Sequence, residues 1–239
     1  MLNEYAEVKG SYTGCTLINL TWVITMLLTI SRDAIDLPPG GEVILRYQTW
    51  ADYEALIHSR QDKAAIKVRF NAETEEIRIM SPLPGHGNRV DTLTDLVKAL
   101  LRNQGRDWQS FDPITLKRFE QAGVEPDACF YIQNRETILG RERIDLATDP
   151  PPDLSIEVDL TSSTKVEDYQ AIAIPELWIY RRGELCVYLF DGQQYREGAD
   201  SPTFVGINVK QILPQYIERA WTAGSSVALR EFEQFLVGG

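Results

Sequence analysis

The strongest hydrophobic period along the chain predicts one long amphipathic helix. Its apolar residues recur at i, i+3, i+6, i+7, i+10 and i+11: Val90, Leu93, Leu96, Val97, Leu100 and Leu101. Because these positions form a single stripe, we expect this helix to be the main helix of the core. The segment before it, 81–87, has Pro and Gly in alternation with other residues and is predicted to be a rigid loop.

Three further segments have helical patterns. Residues 49–57 carry apolar side chains at helical spacing, with Thr49 as the N-cap candidate and Asp52 in the first turn. Residues 209–221 and 227–236 are amphipathic at the same period and are predicted to close the chain as two helices.

Other segments alternate apolar and polar residues and are predicted to be strands. They are a hairpin of 66–71 and 76–80, a second hairpin of 114–119 and 128–132, a central strand at 154–160, and a pair at 177–180 and 185–190. The order of helices and strands predicts an α/β fold, a mixed sheet flanked by helices. We expect residues 1–36 to be an N-terminal extension or appendage and residues 37–239 to form one domain.

Composition narrows the function classes. The formal net charge of −11 argues against a protein that coats nucleic acid by electrostatics alone, so any phosphate group must be met by local cations. The three cysteines are widely spaced in apolar surroundings, which argues against disulfides and a zinc site and favours the cytoplasm. Residues 10–31 are uncharged, but polar residues dilute them and Glu4 and Glu7 precede them, so we expect neither a membrane span nor an export signal.

Two carboxylates carry the clearest chemical signal. Asp127 and Glu157 each lie in an apolar, strand-like stretch, where an unpaired carboxylate is costly to bury, so a cation is expected between them. Mg²⁺ prefers such oxygen ligands, and a metal held there prepares phosphodiester hydrolysis. Two ordinary alternatives stand beside this hypothesis: Asp127, which follows Pro126, is a turn residue, and Glu157 pairs with an arginine.

A set of short motifs resembles a known family. The motifs are Met80-Ser81-Pro82 with His86, Glu125-Pro126-Asp127, Pro152-Asp153-Leu154-Ser155-Ile156-Glu157-Val158, Thr161-Ser162-Ser163-Thr164 and Ile174-Pro175-Glu176-Leu177-Trp178. They resemble the PD-(D/E)XK nuclease superfamily and, within it, the Uma-two family, also called the domain of unknown function eight-twenty. The resemblance covers roughly residues 40–210. It implies a restriction-endonuclease-like fold and a metal-dependent nuclease that hydrolyses phosphodiester bonds, a DNA endonuclease.

The resemblance also implies roles for individual residues. Asp127 and Glu157 would bind Mg²⁺, or alternatively Mn²⁺, together with the carbonyl of Val158. The superfamily places a lysine two residues after the glutamate, but this chain has Asp159 there. Lys165 is then the best replacement, as the cation that orients or deprotonates the attacking water. Lys117 is the second candidate.

Two more residues are accessory candidates. His86 is similar to a loop histidine of the family and would ligate the metal, contact phosphate at the helix N-terminus, or hydrogen-bond the loop backbone. Asp159 would add a third carboxylate to the metal or point away into a polar network.

The expected partner is nucleic acid, DNA in the first instance. Because the chain is acidic, a homodimer or a partner protein would supply additional positive surface. A second hypothesis follows from the missing lysine: a catalytically inactive module that keeps the nuclease fold and binds nucleic acid or protein. Metal-dependent cleavage separates the two hypotheses.

Overall fold

The strands form two β-sheets in the computed structural model, which describes residues 37–60, 66–161 and 163–238. The predicted N-terminal extension, residues 1–36, lies outside the described residues. The sequence pattern predicted a mixed sheet flanked by helices. The structure has helices and strands as predicted, and it divides the strands between two sheets.

The five-stranded sheet is antiparallel throughout. Its strands, in spatial order, are β1 (Glu42–Leu45), β3 (Glu76–Met80), β2 (Lys67–Asn71), β6 (Ala122–Val124) and β5 (Leu116–Arg118). The predicted first hairpin is confirmed as β2 and β3, which pair with Lys67 opposite Met80 and Asn71 opposite Glu76.

The six-stranded sheet is mixed. Its strands, in spatial order, are β11 (Tyr195–Gly198), β10 (Glu184–Phe190), β9 (Glu176–Arg181), β8 (Leu154–Asp159), β7 (Ala128–Tyr131) and β4 (Gln109–Phe111). β8 pairs with β9 in parallel, and the other neighbouring strands of this sheet pair antiparallel. Every residue of β8 is buried, which confirms the predicted central strand.

The predicted second hairpin is wrong. β5 pairs with β6, whereas β7 pairs with β4 and β8 in the other sheet. β6 fits beside β2 because Gly123 has no side chain: a Cβ there would lie 2.2 Å from the Tyr53 hydroxyl oxygen. Residues 125–127 consequently carry the chain from one sheet to the other.

The helices follow the predicted pattern closely. The described α-helices are α1 (Trp50–Arg60), α2 (Pro84–Asn103), α3 (Arg135–Ile138), α4 (Val209–Ala223) and α5 (Ser225–Gly238), and a 3₁₀ helix spans Val166–Tyr169. The predicted cap of α1 is confirmed, because the Thr49 amide donates to Asp52 Oδ2 at 2.8 Å and the Asp52 amide donates to Thr49 Oγ1 at 3.3 Å.

Helix α2 begins earlier than the sequence analysis expected. Pro84–Gly87 form its first turn instead of a loop, since proline at the start of a helix has a suitable φ and needs no amide hydrogen there. This difference matters because His86 then lies on a helix and not in the predicted rigid loop.

The main core lies between α2 and the six-stranded sheet. The apolar stripe of α2 is buried against Ile156 and Val158 of β8, and α4 and α5 cover the same core through residues such as Leu213 and Phe232. In the part of the chain that the structure describes, no helix has the length and apolar character to cross a membrane.

Candidate functional site

The two predicted carboxylates meet where the chain passes between the sheets. Asp127 stands just before β7; its amide donates to the Ile156 carbonyl at 3.0 Å, and its Oδ2 accepts the Val158 amide at 2.7 Å. Two hydrogen bonds to β8 therefore hold both the backbone and the side chain of Asp127.

Glu157 reaches the same place from the middle of β8. Side chains alternate along a strand, and Ile156 and Val158 enter the core beside α2, so Glu157 and Asp159 project from the opposite face. Glu157 is only 1% exposed. A carboxylate at such a depth needs cationic or hydrogen-bonding partners.

The five-stranded sheet supplies the cations. The Lys67 ammonium contacts Asp127 Oδ1 and lies 3.6 Å from Glu157 Oε2. Arg69, two residues along β2 and on the same face, places Nη2 2.6 Å from Glu157 Oε1. Since one ammonium faces both carboxylates, Asp127 and Glu157 converge on a single cation position, as the sequence analysis required.

A second layer of contacts orients Glu157. The Tyr169 hydroxyl, from the 3₁₀ helix, donates to Glu157 Oε1. Arg69 is itself held, because its Nη1 donates to Thr164 Oγ1 at 3.1 Å and its guanidinium lies 6.0 Å from the centroid of the Tyr169 ring. Glu157 therefore pairs with an arginine, as one alternative expected, and also shares Lys67 with Asp127.

The two carboxylates have opposite pKa shifts. Burial raises the pKa of Glu157, and the proximity of Asp127 adds to the effect, while Arg69 and Lys67 only partly oppose it. Burial also acts to raise the pKa of Asp127. The charge of Lys67 and the hydrogen bond from His86 outweigh burial, so the pKa of Asp127 lies below its usual range. Asp127 is therefore the more readily ionised member of the pair.

His86 joins the site from the first turn of α2. Its Nε2 lies 3.1 Å from Asp127 Oδ2, the oxygen that also accepts the Val158 amide. This contact with Asp127 is none of the three roles considered from the sequence. It places His86 beside the acidic pair.

Asp159 belongs to a polar network next to the site. It accepts from the Thr164 amide at 2.9 Å and from Thr164 Oγ1 at 2.7 Å, and Arg181 Nη2 lies 3.0 Å away. The alternative in which Asp159 points into a polar network is the one the structure has. Thr164 links this network to Arg69.

The two lysines favoured from the sequence have other partners. Lys165 Nζ lies 3.5 Å from Glu76, and Lys117 Nζ lies 2.8 Å from Glu54. Glu76 pairs with Asn71, four residues along β2 from Lys67, which is about 13 Å at the rise of a strand. The structure does not bring Lys165 to the position between the carboxylates; that position is taken by Lys67.

Sequence reasoning missed Lys67 and Arg69 although a signal was present. They alternate with Val68 and Phe70 in a strand predicted to be half-buried. Two cations on one face of a strand need acidic partners only where that face is buried, and the burial of both faces of β2 became visible only in the structure.

Two other acidic residues of the motifs stabilise the fold around the site. Glu125 Oε2 accepts from Arg60 Nη1 at 2.6 Å and from the Val68 amide at 2.8 Å, which ties α1 to β2. Asp153 Oδ2 accepts the amides of Ile132 and Gln133 at 2.6 and 2.9 Å and closes the turn after β7.

A narrow pocket opens onto Glu157 and Lys67. Its inner volume is about 20 Å³, room for about one water molecule or ion. Its lining combines the polar site with the loop before α2: Gly41, Lys67, Arg69, Met80, Ser81, Pro82, Leu83, His86, Glu157, Val158, Leu160 and Thr161.

The donor set suits a hard divalent cation. Asp127 Oδ1 and Glu157 Oε2 face one ammonium, while the second oxygen of each carboxylate is held by the protein. Oxygen ligands of this kind are those that Mg²⁺ and Mn²⁺ take. Within the described ranges no group of three or more His, Cys, Asp or Glu side chains is arranged to hold a metal, so waters or backbone oxygen would complete the ligand set.

The α/β fold and the buried acidic pair define a protein of the restriction-endonuclease-like class. A family model confirms this: residues 50–221, most of the chain, match Uma2, described as "Putative restriction endonuclease". The chain belongs to this family.

One solved structure similar to this chain is that of "a putative nuclease belonging to DUF820" from Anabaena variabilis. It is 14% identical, the match covers 76% of this chain and 98% of that one, and the TM-score is 0.46. No curated protein matches the chain significantly.

Proposed function

We propose that the chain is a divalent-metal-dependent endonuclease that hydrolyses phosphodiester bonds, with DNA as its substrate. The observation that carries the proposal is the convergence of Asp127 and Glu157, from different elements, on one cation position, where Glu157 and the Lys67 cation line a pocket. Buried ion pairs add little to stability compared with well-packed apolar residues. A cluster of two carboxylates and two cations is thus better explained by chemistry than by folding.

The metal ligands in this proposal are the carboxylates of Asp127 and Glu157 and the carbonyl of Val158. Mg²⁺, or Mn²⁺, would lower the pKa of a bound water and neutralise charge on the phosphate. The Val158 amide holds Asp127, and Tyr169 holds Glu157, so both ligands are oriented before substrate arrives.

We assign the water-orienting role to Lys67 in place of Lys165. The Lys67 ammonium lies against both carboxylates and lines the pocket, so once it yields their oxygens to the ion it stays close enough to donate to the attacking water and attract the phosphate. Arg69 positions Glu157, and His86 positions Asp127 through Nε2. Asp159 and Lys117 have no part in the reaction under this proposal.

The acidic chain limits how substrate is held. With a net charge of −11, non-specific binding to a polyanion is weak and the site cations act locally. A homodimer would add positive surface, as proposed from the sequence. Analytical ultracentrifugation that finds only monomer would remove the dimer from the proposal.

Cleavage of supercoiled plasmid, followed on gels with Mg²⁺, Mn²⁺ or EDTA, tests the function. We expect cleavage only with a divalent ion, and its loss in Asp127→Asn and Glu157→Gln without loss of fold by circular dichroism. Glu184→Gln, an exposed carboxylate on β10, is the matched control and should cleave normally. Full activity in Asp127→Asn would refute the proposal.

A lysine pair tests the assignment within the site. Lys67→Met should abolish cleavage, whereas Lys165→Met should retain it. The reverse result would return the role to Lys165.

One observation favours the catalytically inactive module as a second candidate. Lys67 and Arg69 together match the two carboxylates in charge, so the site is electrostatically balanced without a metal. Isothermal titration calorimetry with Mg²⁺ decides between the two hypotheses. The nuclease should bind the ion and lose that binding in Glu157→Gln. The inactive module should show no heat of Mg²⁺ binding and should still bind nucleic acid in EDTA.

A further inference from the structure

An exposed tryptophan on α4 lies over the first turn of α2. Trp221, on the last turn of α4, is 53% exposed. A Cβ built at Gly85 would lie 3.4 Å from Trp221 Cη2, so the edge of the indole lies over the first turn of α2. The next residue along α2 is His86, which contacts Asp127. Trp221 therefore lies over the turn of α2 that carries His86, one of the residues that line the pocket.

Arg89 supports one side of the indole ring. Its guanidinium carbon lies 4.3 Å from the ring centroid. Arg89 is itself fixed, since Nη1 donates to the Gly85 carbonyl at 3.1 Å and Nη2 lies 4.0 Å from Glu218. Its side chain is only 14% exposed. The ring thus rests on a rigid cation–π contact, and more than half of its surface faces solvent.

We propose that Trp221, backed by Arg89, is a stacking platform for an unpaired nucleobase of the substrate, and this inference rests on the proposed nuclease function. The net charge of −11 weakens electrostatic attraction to any nucleic acid. Base–aromatic stacking needs no net charge, and an aromatic ring accepts any base because every base has a π-face.

The platform selects the class of substrate. In a continuous duplex both faces of a base are covered by its neighbours, so only an unpaired or flipped base can stack on an indole. With the platform next to His86, the preferred substrate is nucleic acid that is single-stranded near the cut. Duplex without such a region would meet only the local cations of the pocket.

Fluorescence anisotropy in EDTA tests the platform in the full chain, with a short labelled DNA single strand and the matching duplex as probes. We expect Trp221→Ala to weaken single-strand binding by about 5- to 160-fold, the range for loss of one base stack. Trp221→Phe should retain most of the affinity, and duplex binding should change little. Phe119→Ala, an exposed aromatic after β5, is the matched control and should bind as the unmodified chain does.

Trp221→Leu separates stacking from structure, because leucine keeps apolar bulk against α2 without a π-face. We expect it to melt like the unmodified protein and to bind single strand as weakly as Trp221→Ala. Unchanged binding in either variant, or an equal loss for single strand and duplex, would overturn the platform.

Cleavage kinetics distinguish this inference from the nuclease proposal. If Mg²⁺-dependent cleavage occurs, Trp221→Ala should raise KM for single strand and leave kcat unchanged. Cleavage with an unchanged KM would overturn the platform and leave the nuclease standing. If single-strand binding depends on Trp221 but no cleavage occurs, the platform stands and the nuclease proposal is overturned.

Discussion

Lys67→Met removes the ammonium that lies between two buried carboxylates. Lys67 is 13% exposed at the side chain and lies 3.6 Å from Glu157 in addition to its contact with Asp127. At an effective dielectric constant of about 20, a unit pair at 3.6 Å interacts by about 5 kcal/mol. Part of this is offset in the native protein by the desolvation of the ammonium, so the expected loss on breaking a buried pair is about 3–5 kcal/mol.

That loss has thermal and acid signatures. For a domain of this size, about 1 kcal/mol corresponds to about 2–4 °C in Tm, so Lys67→Met should melt roughly 6–20 °C lower in EDTA. Although burial acts to raise it, the pKa of Asp127 is depressed in the folded state, chiefly by Lys67 and then by His86. A depressed carboxyl pKa contributes stability in full above the unfolded pKa of about 4, and that contribution is lost progressively as pH falls from there through the lower folded pKa. Without Lys67 this contribution shrinks, and acid unfolding should begin at higher pH.

Differential scanning calorimetry in EDTA and in Mg²⁺, repeated over a series of pH values, measures the drop in Tm and the shift in acid unfolding. Mg²⁺ should restore more stability to Lys67→Met than it adds to the unmodified protein, because the ion replaces the missing charge. The matched control is Lys165→Met, whose lysine is 44% exposed and 3.5 Å from Glu76; a pair of this kind contributes about 0–1 kcal/mol. The reasoning is refuted if the two variants melt alike in EDTA, or if Mg²⁺ raises the Tm of Lys67→Met no more than that of the unmodified protein.

Three further predictions concern the structure around the site. Glu125→Gln should lower the free energy of unfolding by about 3–5 kcal/mol in urea titrations, because it breaks the buried ion pair between Glu125 and Arg60; an unchanged urea midpoint would contradict this. Gly123→Ala should cost about 1–3 kcal/mol by the same measurement, since its Cβ would overlap the Tyr53 hydroxyl, and a neutral result would mean that Tyr53 moves freely. Cys129 is buried, and burial raises the pKa of its thiol to about 12. Peptide mapping after alkylation should therefore find Cys129 unmodified until the protein unfolds. Labelling of Cys129 in the native protein would argue against this.

Local patterns predicted most of the elements. The cap at Thr49, the β2–β3 hairpin and the stripe of α2 depend on residues within a few positions of one another, and all three are confirmed. The second hairpin failed because β6 has only three residues, too few to show alternation. Its neighbour β2 lies about fifty residues earlier, and the fit depends on Tyr53 packing over Gly123.

The candidate site divides in the same way. Asp127 and Glu157 were identified because a carboxylate within an apolar strand is costly wherever the strand is placed. Their cations were not identified, since Lys67 is sixty residues from Asp127 and the two meet only where the two sheets join. The nearest lysine in sequence to Glu157, Lys165, lies instead beside Glu76.

The sequence by itself determined most of the helices and strands and singled out Asp127 and Glu157 as a candidate acidic pair, because periodicity and the cost of burying charge act through neighbours along the chain. Only the tertiary structure decided which cation faces the carboxylates, that Asp159 points into its own network, and that Trp221 lies over the first turn of α2. Those contacts depend on distances between the two sheets and α2 and α4, and ionic and stacking interactions fall off within a few ångströms whatever the separation in sequence.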